Sequence, residues 1–303
     1  MAVNLSQIKS LLVPGLYALT GKYDSIETQW SRVFDTRKST LTFETSAQMR
    51  YFGMAQYKTE GGATATDNNA GQRFTYNAQT REVGLLFAIT RMALDDNQYK
   101  SQFSLNVKGL MDGFKEFKEN VAADIFNNGT TYDANIGGDG KALFATDHPV
   151  NGQSIANTFT VAQQLSESAL YQAAANIRTT FIDEAGLKRK FRPGKLIVNP
   201  TQIPVAHRLI KTELRPGTAN NDVNALPVME GGITEYMAWD YLSSNYPWFL
   251  TTNVKGLIHF MRKPFESSMQ EDFTTDNLLT KGYERYTFSY NDWRAAWGSF
   301  ATS

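Results

Sequence analysis

NQYKSQFSLNVKGLMDGFKEFKENVAADIFN, residues 97–127, places an apolar side chain every three or four positions: Phe103, Val107, Leu110, Phe114, Phe117, Val121 and Ile125. That spacing draws one continuous stripe along an α-helix and marks these residues as the core-facing side of a long spine. Asp95 or Asp96 can cap its start, and Asn128-Gly129 can close its end. Gly109 and Gly113 weaken the middle, each costing up to ~1 kcal/mol against alanine. At 1.5 Å per residue the segment spans roughly 46 Å. A compact domain of this size needs no such rod, so the sequence predicts an elongated protomer.

Upstream, Met54–Glu60 runs into Gly61-Gly62, and a soft stretch of small polar residues continues to Gly71. Phe74, Tyr76 and the run Val83–Ile89 then resume an extended pattern. The reading is two extended arms joined by a soft tip. A hairpin of this length is marginal alone and leaves unpaired edges, so something outside it should cover it. A disordered surface loop is the alternative. Residues 1–47 hold a helical patch (Ile8, Leu11, Leu12) whose apolar run breaks at Pro14-Gly15, then Trp30, Phe34 and a strand pattern at Leu41 and Phe43. Nothing there makes a core by itself. It reads as an arm that lies on something else.

Downstream, 130–165 is loop-rich, and a second amphipathic helix (Leu165, Leu170, Ala174, Ile177, Phe181) ends near Gly186. Leu196-Ile197-Val198 is a buried strand stopped by Pro200, followed by a helix around Val205–Ile210. Residues 216–247 read as long loops with a short strand or two. Gly256–Phe260 is another buried strand, and Tyr286, Phe288 and Tyr290 alternate with polar residues as a one-face strand. The class is α+β, without a βαβ rhythm or an internal repeat.

The 303 residues suffice for one large or two modest units, and 42% hydrophobic with 20% charged residues is ordinary for a folded protein. The 13% of aromatics favours strands and large contact surfaces. Lys plus Arg equals Asp plus Glu at 30 each, which argues against a sequence-reading DNA binder and permits self-association. Cysteine is absent, so disulfides and thiolate metal sites are excluded. No signal pattern opens the sequence and no run approaches the ~20 apolar residues of a membrane span, so a reducing, soluble compartment is expected.

The chemical motifs fail one by one. Gly137-Gly138-Asp139-Gly140-Lys141 looks like a phosphate loop, but Asn135 and Ala142 stand where Gly and Ser or Thr belong. Asp133, Asn135 and Gly138 begin like a calcium loop, yet Gly137 and Phe144 occupy ligand positions. Gly152-Gln153-Ser154 starts a nucleophile elbow, with Ala156 in place of the second Gly. His148 (before Pro149, in a turn), His207 and His259 have no metal-ligand spacing and read as structural. The cluster Lys188, Arg189, Lys190, Arg192, Lys195 could touch DNA or an acidic neighbour, but a solvated loop explains it without interleaved aromatics. No catalytic, cofactor-binding or metal residue is assigned.

Taken together, four stretches carry a resemblance. They are Glu60-Gly61-Gly62-Ala63 with Asp67 and Gly71; Gly84–Arg91 with Leu94-Asp95-Asp96; Leu143–Pro149; and Asp183–Gly186 with Pro193–Pro200. In this order the chain resembles, over most of 30–300, the major capsid proteins of tailed bacteriophages with the Hong Kong 97-type (HK97-type) fold, especially the Mu-like head subunits. The resemblance implies an N-terminal arm (1–47) and an extended loop (48–93). It also implies a peripheral domain (94–165 and 256–290) built on spine helix 97–127, and an axial domain (166–255 and 291–303). It implies a virion protein, assembled in the bacterial cytoplasm as pentamers and hexamers around double-stranded DNA contacted non-specifically. Scaffolding, portal and decoration proteins would be its partners, and no membrane or cofactor is involved.

Lys58, Glu60, Gly61, Gly62, Asp67, Gly71 and Arg73 are the expected contacts with a neighbouring copy. No long charged helix opens the chain, so no fused scaffolding segment is expected, and no cross-linking trio can be assigned. An encapsulin-like compartment shell is the alternative within the fold, and a soluble α+β enzyme or binding module the alternative outside it. Particle size separates the last from the others.

Overall fold

The computed structural model describes residues 5–25, 27–67, 70–96, 99–214 and 223–302. The start of the expected spine at 97–98, the capping role of Asp95, the side chains of Ile8 and Leu11, and residues 215–222 of the expected loops lie outside the described part.

In chain order, α1 (Leu5–Thr20) precedes β1 (Asp35–Lys38) and the paired strands β2 (Phe43–Arg50) and β3 (Gly71–Gln79). Strand β4 (Arg81–Ile89) leads through the short α2 (Arg91–Asp95) into the spine, α3 (Tyr99–Asn127). A small hairpin, β5 (His148–Val150) and β6 (Gln153–Ile155), comes before α4 (Glu167–Thr179) and β7 (Pro193–Val198). Then follow α5 (Ile203–Lys211), β8 (Glu235–Ala238), β9 (Trp248–Thr252), the long β10 (Leu257–Glu271) and β11 (Leu278–Tyr290), and β12 (Ala296–Ser299).

Two four-stranded sheets organise the chain. The first has the order β1-β10-β11-β4, the second β12-β9-β7-β8. In β7, Leu196, Ile197 and Val198 are all buried because both faces of the second sheet are covered. Leu196 and Val198 meet α4 and α5 through Leu170, Ile177 and Ile210, while Ile197 meets Phe249 and Trp239 on the other side. Ser166 caps α4 by accepting from the Ala169 amide at 3.2 Å.

The spine ties the two sheets together. Its first half buries Phe103, Val107, Leu110 and Phe114 with Ile89 of β4 and Leu278 of β11. Its second half buries Ala122, Ala123, Ile125 and Phe126 with Trp239, Phe249 and Phe288. The 29 residues of α3 span about 44 Å. Gly113 allows β4 to sit close, since a Cβ there would lie 3.2 Å from Leu85 Cδ2. At the far end, Gly129 is required by the Phe144 ring, only 2.5 Å from where a Cβ would be.

Three sequence expectations need correction. Phe117 is not core: its side chain is 49% exposed, and Val121 is half-buried. The buried stripe steps instead from Phe114 through Lys118 to Ala122, a run of i+4 positions that a search for apolar residues skips. Second, α1 does not break at Pro14 but continues to Thr20. Its Leu16 is buried with Phe103 and Leu110, so this segment lies on the chain's own spine. Third, the return arm of the hairpin is β3, not Val83–Ile89. The outgoing arm is Phe43–Arg50 rather than Met54–Glu60. Val83–Ile89 belongs to β4, paired with β11 in the first sheet.

Candidate assembly surface

The β2–β3 ladder runs from Phe43 opposite Gln79 to Arg50 opposite Gly71, with a bulge between Ala47 and Met49. Alternate residues of β2 are exposed and none is fully buried, as expected for a ribbon without a third layer. At the root the ribbon is anchored. Tyr76 and Ala78 are buried, and Ala78 packs with Ile258 and Phe260 of β10.

Beyond the ladder, residues 51–59 form neither strand nor helix. Tyr51, Phe52, Met54 and Tyr57 point into solvent, an apolar group on a segment with no core of its own. The Gly53 amide donates to Asp67 Oδ2 at 2.5 Å, tying the outgoing and returning arms. The turn closes with the Gly62 amide donating to the Thr59 carbonyl at 3.0 Å. Gly61 takes φ +73° at its third position, which favours glycine. Lys58 and Glu60 are exposed at this tip, and Gly71 starts β3.

Arg73 is placed differently from the rest of the expected contact set. Its Nε lies 2.8 Å from Glu184 Oε2, in the chain's own body. The other carboxylate oxygen of Glu184 accepts from Arg294 Nη2 at 2.6 Å. Arg294 also donates to Asp292 at 3.0 Å and to the Ile182 carbonyl at 2.7 Å. Arg73 therefore fixes the ribbon's direction from within the subunit. Most of the basic cluster is likewise engaged inside the chain: Arg189 with Asp183 at 2.5 Å, Arg192 with Glu230 at 3.1 Å, Lys195 with Glu235 at 3.7 Å.

The titratable groups that sequence reading missed, Lys118, Glu119 and Glu284, sit where the spine crosses between the sheets. Lys118 pairs with Glu284, whose other oxygen accepts from the Tyr23 hydroxyl at 3.1 Å. Glu119 accepts from the amides of Gln29 at 2.5 Å and Trp30 at 3.1 Å, and from Trp239 Nε1 at 3.2 Å. Burial raises the Glu119 carboxyl above its ordinary range, although the bonds from Gln29, Trp239 and Trp30 pull the other way. The His259 ring lies tilted against Trp30 with centres 4.4 Å apart, and burial, with Lys118 adding, pushes its pKa down to about 2. His148 opens β5 instead of a turn; its ring contacts Asp139 at 2.8 Å and Asn157 at 3.2 Å and stacks on Trp293. His207 is exposed.

Apart from His207, each of these groups is closed around a partner in the same chain. Among the described residues, no group of three or more His, Asp or Glu could hold a metal ion, and no helix is long and apolar enough to cross a membrane.

Known proteins share this organisation. A family model described as phage capsid protein matches residues 73–299. No curated protein matches the sequence. Among solved structures, a procapsid of bacteriophage JBD30 is 12% identical with a TM-score of 0.53, covering 99% of this chain and 77% of that one. The capsid of an empty GTA particle is 11% identical with a TM-score of 0.56, covering 93% and 98%. The holo-SrpI encapsulin complex of Synechococcus elongatus is 9% identical with a TM-score of 0.53, covering 91% and 88%. At such identities what is shared is the fold, the α+β architecture of HK97-type shells. With the family model spanning most of its length, the chain belongs to the phage capsid protein family, whose role is structural rather than catalytic.

Proposed function

We propose that the chain is the major capsid protein of a tailed bacteriophage, closing as pentamers and hexamers into an icosahedral head around double-stranded DNA. The observation that carries the reading is the β2–β3 ribbon with its exposed apolar extension at Tyr51, Phe52, Met54 and Tyr57. A monomer gains nothing from such a projection, whereas copies related by closed symmetry bury it against one another. Lys58, Glu60, Gly61, Gly62, Asp67 and Gly71 would frame that contact, with Arg73 holding the ribbon's angle. Scaffolding, portal and decoration proteins would be its partners during assembly in the bacterial cytoplasm. The balanced charge, 30 basic against 30 acidic residues, suits weak, non-specific contact with packaged DNA.

Replacing Gly61–Gly71 with a short Gly-Ser turn should leave far-UV circular dichroism and solubility unchanged while particles fail to form in electron micrographs. Normal, equally stable particles from the shortened chain would show that the ribbon is not an assembly element and would remove the observation that carries the reading. An intact chain that stays monomeric or dimeric would refute the reading itself. The likeness to an encapsulin favours a second reading, a compartment shell enclosing protein. Nucleic acid in purified particles separates the two.

A further inference from the structure

The first sheet ends in two unlike edges. At one, β1 has four residues and carries Arg37 and Lys38, the short charged kind of edge that resists pairing. At the other, β4 has nine, and from Val83 to Ile89 it holds no charge. Pairing with β11 from Leu278–Ile89 to Tyr286–Arg81 uses one side of β4 over its whole length. Among the described residues, no backbone hydrogen bond reaches the other side. Val83, Phe87 and Ile89 pack with the spine's core, while Gly84, Leu86 and Ala88 alternate with them and are exposed, Leu86 at 53%. A long apolar edge with free N–H and C=O groups is a template for one more strand.

We propose that this edge receives residues 51–57 of a second copy, added to the first sheet as an extra strand; the inference rests on the shell reading above. Tyr51–Tyr57 is uncharged and matches the uncharged run Val83–Ile89 in length. Both runs are bordered by charge, Arg50 and Lys58 on one, Glu82 and, with one residue between it and Ile89, Arg91 on the other. The segment has no ladder partner of its own, and its apolar side chains are exposed. Its own β4 is out of reach. The ribbon leans the other way: Arg73 pairs with Glu184, and Tyr51 lies beside Glu184 and Asp292, past the Tyr290 end of β11. By contrast, β4 runs from Arg81 opposite Tyr286 to Ile89 opposite Leu278. The free segment and the free edge therefore meet between copies.

The chain has no cysteine, so engineered ones report cleanly. Leu86→Cys in one copy would be co-assembled with Phe52→Cys, Met54→Cys, Ala55→Cys or Gln56→Cys in another, then mildly oxidised. Covalent dimers should form only in particles, and efficiently from positions of one parity, because strand side chains alternate. Leu86→Lys should lower particle yield about tenfold while the free subunit keeps its thermal midpoint, since a lysine on a pairing edge blocks addition. Normal particles without any such cross-link would overturn the inference and leave the shell reading standing. So would Leu86→Cys copies that join only to each other. If the unsubstituted chain forms no particles, the shell reading fails and this inference with it.

Discussion

Lys118→Met tests how the spine is held. The Lys118 side chain is 6% exposed and its Glu284 partner 1%. The ammonium also lies 4.6 Å from the Tyr286 ring centre and 5.2 Å from that of Trp30. Removing it leaves Glu284 buried with the Tyr23 hydroxyl, at 3.1 Å, as its remaining side-chain hydrogen bond among the described residues. Stranding one member of a buried pair costs ~3–5 kcal/mol, a large share of a typical total of ~5–15 kcal/mol. Removing both charges in Lys118→Met with Glu284→Leu eliminates the stranded ion. What then remains is an unpaired Tyr23 hydroxyl, about 1–3 kcal/mol. The double variant should therefore be more stable than Lys118→Met alone. Urea unfolding of unassembled subunits at pH 7, followed by tryptophan fluorescence, gives the comparison. A double variant less stable than Lys118→Met would refute the coupling.

Two further outcomes follow from the same core. Phe114, 1% exposed and 5.0 Å from the Phe265 ring, should not tolerate Phe114→Asp, which buries an unpaired carboxylate at several kcal/mol; a soluble variant with wild-type thermal stability would contradict this. His259 stays neutral in the folded chain, its pKa pushed down to about 2, whereas in the unfolded chain it binds a proton below ~6.5. Its contribution to stability is thus complete above that pH and falls by about 1.4 kcal/mol per pH unit below it, roughly 2 kcal/mol by pH 5. His259→Gln should flatten the stability profile between pH 6.5 and 5, and an unchanged slope would refute the assignment.

The spine, the α+β class and the one-face strand at Tyr286–Tyr290 were legible in the sequence because each repeats an apolar period over many residues. What the period cannot show is a charged residue in a core position. Lys118 sits at the i+4 step between Phe114 and Ala122, yet Phe117, exposed at the rim, looked like the better member of the stripe. Strand pairing was legible only in part. Val83–Ile89 was recognisable as extended, but its choice of β11 over the Met54–Glu60 arm is settled by contacts far away in sequence. The same holds for Arg73, whose partner Glu184 arrives from the far side of the chain. The tip of the ribbon was found from its glycines and small residues, since a turn is a local signal and Gly61 needs its positive φ.

Why the spine carries charge at its crossing point follows from what it holds. Lys118 and Glu119 are adjacent, and each catches the amino-terminal segment at a different place. One does so through Glu284 and the Tyr23 hydroxyl, the other through the amides of Gln29 and Trp30. An apolar crossing with the Tyr23 hydroxyl replaced as well would be about as stable, but greasy contacts tolerate sliding, whereas these bonds are satisfied in a single register. A subunit that must offer identical faces to every neighbour benefits from one register. We take register, not stability, as the purpose of the pair, and the double variant separates the two. Amide hydrogen exchange over residues 23–30 should quicken in Lys118→Met with Glu284→Leu by more than its change in unfolding free energy accounts for. Exchange that changes only in step with global stability would show that the pair does nothing beyond holding the fold together.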